Sequence, residues 1–253
     1  MLGKLWKYDC KATWLYLVLS YVILVGYTLI LKLTGIDLEM PFHVAGVVGL
    51  MRIFLYIGFV IVAIAVQLFT YVQVIRRFYK NMFSHEGYLT NTLPVKPWEL
   101  LVSKVLSGSF WMIATTLVLL FCLTILGTAL PYEARGLLVG IFRDIWHNLP
   151  DSTIVLTAIL LIVSPFQTIL IYYACICVGQ LFPKMRILAA VLIYLGYSLV
   201  EGVVGSLFSA LLMDVMDPYG TVELVFATIY TFVTIAAGYF VCHWVLTRHL
   251  NLE

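Results

Sequence analysis

Phe54-Leu-Tyr-Ile-Gly-Phe-Val-Ile-Val-Ala-Ile-Ala-Val-Gln-Leu-Phe-Thr-Tyr-Val-Gln-Val74 contains no charged side chain. A helix of about 20 apolar residues crosses the hydrocarbon core of a bilayer, which is about 30 Å thick. The run is therefore read as a transmembrane helix. Five others of the same kind are Trp14–Leu33, Val105–Leu130, Ile154–Leu181, Ile187–Leu212 and Leu224–Leu246. The 253 residues are 63% hydrophobic and 11% charged, against roughly 25% charged in a soluble domain. The fold expected is all-α: a polytopic membrane protein with six transmembrane helices, forming a single transmembrane domain over residues 1–253.

The connecting segments give the orientation. With the N-terminus in the cytoplasm, the inner segments hold Lys4, Lys7, Lys11, Arg76, Arg77, Lys80, Lys96, Lys104, Lys184, Arg186 and Arg248. The outer ones hold Lys32, Arg52, Arg135 and Arg143, together with Asp37, Glu39, Glu133, Asp144, Asp151, Asp214, Asp217 and Glu223. Lys and Arg collect on the cytoplasmic side of membrane proteins, so both termini are expected there. The apolar run after Lys11 is longer than the core of a cleavable signal and has no small-residue cleavage site, so it is read as a retained first span.

Two segments have the pattern of helices lying on a membrane surface. Leu2, Leu5, Trp6 and Trp14 share a face near the N-terminus, with Lys4, Lys7 and Lys11 elsewhere around it. Leu137, Leu138, Ile141, Phe142, Ile145 and Trp146 repeat at helical spacing between Glu133 and His147, on the outer side. Both are read as membrane anchors alone; the alternative for the outer one is that it helps cover an exit.

Several chemistries are missing from the sequence. There is no G-x-x-x-x-G-K-[ST] phosphate loop. His85-Glu86 begins like a zinc-protease motif, but Leu89 stands where the second His belongs. No G-x-S-x-G nucleophile elbow occurs. His43, His85, His147, His243 and His249 are scattered, so no metal site is expected. Cys10, Cys122, Cys175, Cys177 and Cys242 form no CxxC and are read as apolar packing residues. The net charge of +2 is too small for a nucleic-acid surface. No catalytic residue and no cofactor of its own are assigned to the chain.

A polar island, Ser84-His-Glu-Gly-Tyr-Leu-Thr-Asn-Thr-Leu-Pro-Val95, separates the second and third runs. Arg76-Arg77-Phe78-Tyr79-Lys80 precedes it, a mixture suited to the headgroup level. Ser84 can cap a short helix with Glu86 in its positive first turn. Pro94 ends that helix, and Pro97 suits the first turn of the next. Tyr88, Leu89 and Leu93 are then apolar groups that need a cover, either a partner or the membrane surface onto which they fold back.

Glu86-Gly87-Tyr88-Leu89-Thr90, Thr92-Leu93-Pro94-Val95, Leu100-Leu101 and Ser103-Lys104 together resemble the signature of ABC-2 type permease subunits from Gram-positive bacteria. The motif spans about 20 residues; the layout it brings covers the whole chain. One departure is Lys96, where Ser or Thr would cap the next helix, a difference of about 1 kcal/mol. The resemblance implies six spans in the bacterial cell membrane, both ends inside, and a short cytoplasmic coupling helix in the first inner loop. It implies a separate ATP-binding cassette subunit, which binds the ATP and Mg and docks on Glu86, Gly87, Tyr88, Leu89, Thr90, Leu93 and Pro94. It also implies a second permease copy or a related permease beside this one. The cargo would be an amphiphile: an antimicrobial peptide, a drug or a lipid, moved outward.

The fifth run carries its own signal. Ser198, Gly202 and Ser206, with Gly205 and Ser209, form small-xxx-small ladders that let helices approach closely. Glu201 lies among them near mid-membrane, where a carboxylate is costly unless it is paired or faces water. Ser198, Glu201, Gly202 and Gly205 are read either as pathway or subunit-interface residues or as packing. Pro165, Gln167 and Gly196 are read as packing features. Two other functions fit the same composition: a membrane anchor or sensor that recruits a soluble ATPase, and an integral membrane enzyme acting on lipid-linked substrates. The enzyme would need several polar residues at one depth, and Glu201 alone is not that.

Overall fold

A computed structural model describes residues 2–33, 47–83, 97–127, 150–182, 184–212 and 220–248. They form α1 (Leu2–Leu33), α2 (Val47–Phe83), α3 (Pro97–Gly127), α4 (Asp151–Gly179), α5 (Arg186–Leu212) and α6 (Thr221–Arg248). All six are long and apolar enough to cross a membrane, and each overlaps one of the expected runs, those of α3 and α4 reaching past the helix ends at Gly127 and Gly179. Helices are the element a bilayer demands, because each satisfies its own backbone polar groups. Large apolar side chains remain outward on these helices, among them Leu15, Leu19 and Ile23 on α1, Ile61 and Leu68 on α2, and Leu192, Leu199 and Leu207 on α5. In water such surface is a liability; against lipid it is the matching solvent.

The expected break between a surface helix and the first span does not occur. Residues 2–13 run into the span as one helix. No Gly or Pro falls between Lys4 and Trp14 to end a helix. One buried stripe, Asp9, Thr13, Leu17, Leu24, Thr28 and Leu31, continues along the whole length. Trp14, off that stripe, is exposed, as is Trp6 in the second turn of the helix. The outer surface helix, 137–147, lies outside the described residues.

The chain forms two compact units. One comprises Cys10–Gln73 and Phe110–Asn148, and so the larger parts of α1 and α2 with the second half of α3. Its core is Leu24, Leu31, Phe59, Val66, Cys122 and Leu126. A chain of hydroxyls adds to it: Tyr21 and Thr115 lie 2.7 Å apart, and Thr115 and Thr70 3.1 Å apart. The Tyr27 hydroxyl donates to the Leu55 carbonyl at 2.9 Å.

The other unit comprises Met1–Asp9, Val74–Ser109 and Leu149–Glu253. Here the start of α1, the end of α2 and the start of α3 join α4, α5 and α6. Tyr173 of α4 stacks on Phe78 of α2, with ring centroids 3.7 Å apart, and donates to the Lys104 carbonyl at 3.3 Å. Gly108 of α3 lies against Ile169 and Tyr173. Gly238 of α6 meets Leu170, and Gln167 donates to Thr234 at 2.9 Å, which accords with a packing role for Gln167. Phe208 and Phe226 stack between α5 and α6, and Ser209 donates to Glu223 at 2.7 Å. The turn from α4 to α5 is tight. A Cβ on Gly179 would come within 2.8 Å of both the Ala190 Cβ and the Arg186 carbonyl, so only glycine fits there without a shift.

Candidate functional site

Two cations of the second unit, Lys104 and Arg77, converge on one carboxylate. Asp9 is on the inward stripe of α1, 5% exposed. Its Oδ1 accepts from the Lys104 ammonium of α3 and, at 3.4 Å, from the Asn81 amide of α2. The Arg77 guanidinium of α2 lies 3.6 Å away. Asn81 and Lys104 are buried, while Arg77 keeps part of its side chain in the open.

Local sequence explains the convergence. On α2, Val74, Phe78 and Asn81 recur at helical spacing and are all buried, with Arg77 at the edge of that stripe. On α3, Leu100, Leu101, Ser103, Lys104, Ser107 and Ser109 are buried near the start of the helix. Small serines let the neighbouring helices close in, and Lys104 spans to Asp9. Placing two charges in so little water is costly unless each is paired and hydrogen bonded. The three donors around Asp9 meet that condition.

The position of the cluster gives it its interest. Arg77 and Asn81 lie in the last turns of α2, and Lys104 in the second turn of α3. They bracket residues 84–96. Asp9 therefore ties the helix entering that segment to the helix leaving it. Glu86, Gly87, Tyr88, Leu89, Thr90, Leu93 and Pro94 lie outside the described residues. Of the other residues that carry the family resemblance, Leu100, Leu101, Ser103 and Lys104 are all buried.

Sequence reasoning did not single out Asp9. It is the one acid among Lys4, Lys7 and Lys11, and it falls in step with Thr13 and Leu17 on the apolar stripe. Those two facts together mark an inward carboxylate.

The α5 residues differ in their surroundings. Gly202 and Gly205 face open space, with nothing within 4 Å of a built Cβ. The hydroxyls of Ser198 and Ser206 donate to their own helix, at Leu195 and Val203. Glu201 is half-buried and lies close to Tyr197, which also approaches Tyr230 of α6. The glycines thus present a smooth outer face, while the carboxylate turns toward its own chain.

Among the described residues no group of His, Cys, Asp and Glu is arranged to hold a metal ion. Cys122, Cys175, Cys177 and Cys242 are buried free thiols. Comparison with protein-family models, with curated proteins and with solved structures finds no match to this chain.

Proposed function

We propose that this chain is the transmembrane permease subunit of an ABC-2 type exporter, driven by ATP hydrolysis in a separate ATP-binding cassette subunit. One observation carries the reading: the buried Asp9 cluster clamps together the two helix ends that bracket residues 84–96. A push on a segment held this way moves α1, α2 and α3 together and is not absorbed by one helix bending. Six apolar helices and the missing phosphate loop support the same division of labour.

In this reading residues 84–95 form the coupling helix on the cytoplasmic side, and the partner covers Tyr88, Leu89 and Leu93. Both termini are cytoplasmic, in a bacterial cell membrane. Residues 2–8, with exposed Lys4 and Lys7, extend α1 at headgroup level. The 137–147 helix lies on the outer face. The open face of α5 with Gly202 and Gly205 meets a second permease, and the cargo is an amphiphile moved outward.

The test uses the chain co-expressed with a candidate ATP-binding cassette subunit. Leu89→Asp and Leu93→Asp uncouple ATP turnover from transport while membrane insertion is unchanged. Unaltered transport in both variants overturns the coupling role. Co-purification without any cargo-stimulated ATP turnover favours the anchor or sensor function instead.

A further inference from the structure

We propose that three lysines on α1, Lys4, Lys7 and Lys11, form a binding face for the headgroup of an anionic phospholipid. The inference needs only that α1 crosses a membrane and does not rest on the exporter reading.

The face is one line along an unbroken helix. Lys4, Lys7 and Lys11 recur at three- and four-residue spacing, which puts side chains on one side of a helix. All three are exposed. Leu15, Val18 and Val22 continue the same line and are exposed too. Tyr8 and Trp14, three residues to either side of Lys11, are exposed beside it, as suits aromatics at a membrane interface. The buried stripe of Asp9, Thr13, Leu17 and Leu24 runs along the opposite side. Asp9 is the single acid between residues 2 and 33. Its carboxylate is engaged by Lys104, Asn81 and Arg77, so it offers the three lysines no counter-charge.

Chain length gives the depth. Between Lys11 and Lys32 lie 20 residues without a charge. At about 1.5 Å per residue they span about 30 Å, the thickness of the hydrocarbon core. Lys11 therefore stands at one edge of the core. Lys7 and Lys4 lie roughly 6 and 10 Å further out along the axis. The headgroup layer is about 5–8 Å deep, so Lys7 falls within it and Lys4 at its outer limit.

Depth and charge together select the occupant. The line that meets acyl chains at Leu15, Val18 and Val22 passes without a turn into the lysines. What lies over the lysines is then the head of a lipid whose tail lies over those apolar residues. Three cations with no acid beside them on the helix favour an anionic head; a zwitterionic one brings its own ammonium against them. A second copy of this chain, related by a twofold along the membrane normal, would set lysine against lysine at equal depth. Each basic residue near the surface favours anionic lipid by about fivefold, which separates this site from ordinary boundary lipid by a measurable amount.

The experiment reconstitutes the full chain in phosphatidylcholine vesicles that contain a trace of photoactivatable lipid. The probe is phosphatidylglycerol or phosphatidylcholine, each bearing the same diazirine near the glycerol end of one acyl chain. After irradiation, labelled residues are mapped by mass spectrometry. Phosphatidylglycerol is expected to label α1 around Trp14, Leu15 and Val18 about fivefold or more above phosphatidylcholine. It should have no such advantage at exposed Leu207 and Leu211 near the end of α5. Lys4→Gln, Lys7→Gln and Lys11→Gln combined remove the difference on α1, whereas Lys4→Arg, Lys7→Arg and Lys11→Arg combined keep it. Equal labelling of α1 by the two lipids means ordinary boundary lipid and overturns the site. A preference that survives the glutamines overturns the role of the lysines. An α1 left unlabelled by both lipids means that another helix covers this face, which overturns the site as well.

Discussion

The Asp9 carboxylate and the Lys104 ammonium form a buried ion pair between α1 and α3, each side chain 7% exposed. Removing one partner of such a pair leaves the other charge without compensation, a loss of about 3–5 kcal/mol. Asp9→Ala should therefore lower thermal stability strongly in purified protein. Asp9→Ala combined with Lys104→Met should regain much of the loss, because no orphan charge remains. A double variant as unstable as the sum of the singles argues against the pairing.

The Tyr21–Thr115–Thr70 hydroxyls join three helices. Hydrogen bonds between membrane helices are worth about 0.6 kcal/mol on average and about 1.7 at most. Thr115→Val keeps the shape and removes both contacts, so it should cost near the upper end of that range. Thr116→Val serves as the comparison: its hydroxyl bonds only the Met112 carbonyl of its own helix at 3.0 Å. Equal losses in denaturant titration would show that the network adds nothing beyond local bonds.

Glycines on α4 and α5 should respond in opposite senses. Gly179→Ala forces a methyl against Ala190 and Arg186, and overpacking of that kind costs roughly 1–3 kcal/mol. Gly196→Ala meets nothing within 4 Å and should stabilise its helix by roughly 0.5–1 kcal/mol. Melting temperatures of the two variants, measured in one detergent, check the contrast.

Glu201 and Gly202 adjoin in sequence but face different surroundings. Gly202→Leu should leave the isolated fold intact and weaken self-association, read by single-molecule stoichiometry or by cross-linking in the membrane. Glu201→Gln should leave self-association unchanged and alter transport, because its carboxylate sits beside Tyr197 of its own chain. The reverse assignment of effects would place the carboxylate at the subunit interface.

The six spans were legible from apolar run length, with ends within a few residues for α4, α5 and α6. The runs for α1, α2 and α3 were too short. Helix continues at their basic ends to Leu2, Phe83 and Pro97, where charged residues ended the apolar pattern but not the hydrogen-bond ladder. The same mixture of Lys, Trp and Leu in residues 2–14 suggested a separate surface helix. Apolar periodicity alone does not distinguish a face that meets lipid from one that meets another helix, and Leu2 and Leu5 turned out to share the inward side with Asp9.

Composition by itself determined that this chain is a bundle of apolar helices. Hydrocarbon imposes one rule on every backbone group, and that rule acts within each segment. Tertiary structure alone decided which charges are buried and which helices they join. Asp9 and Lys104 stand 95 positions apart in the chain. Their pairing depends on how α1, α2 and α3 pack side by side, a matter of contacts between segments that no local pattern records.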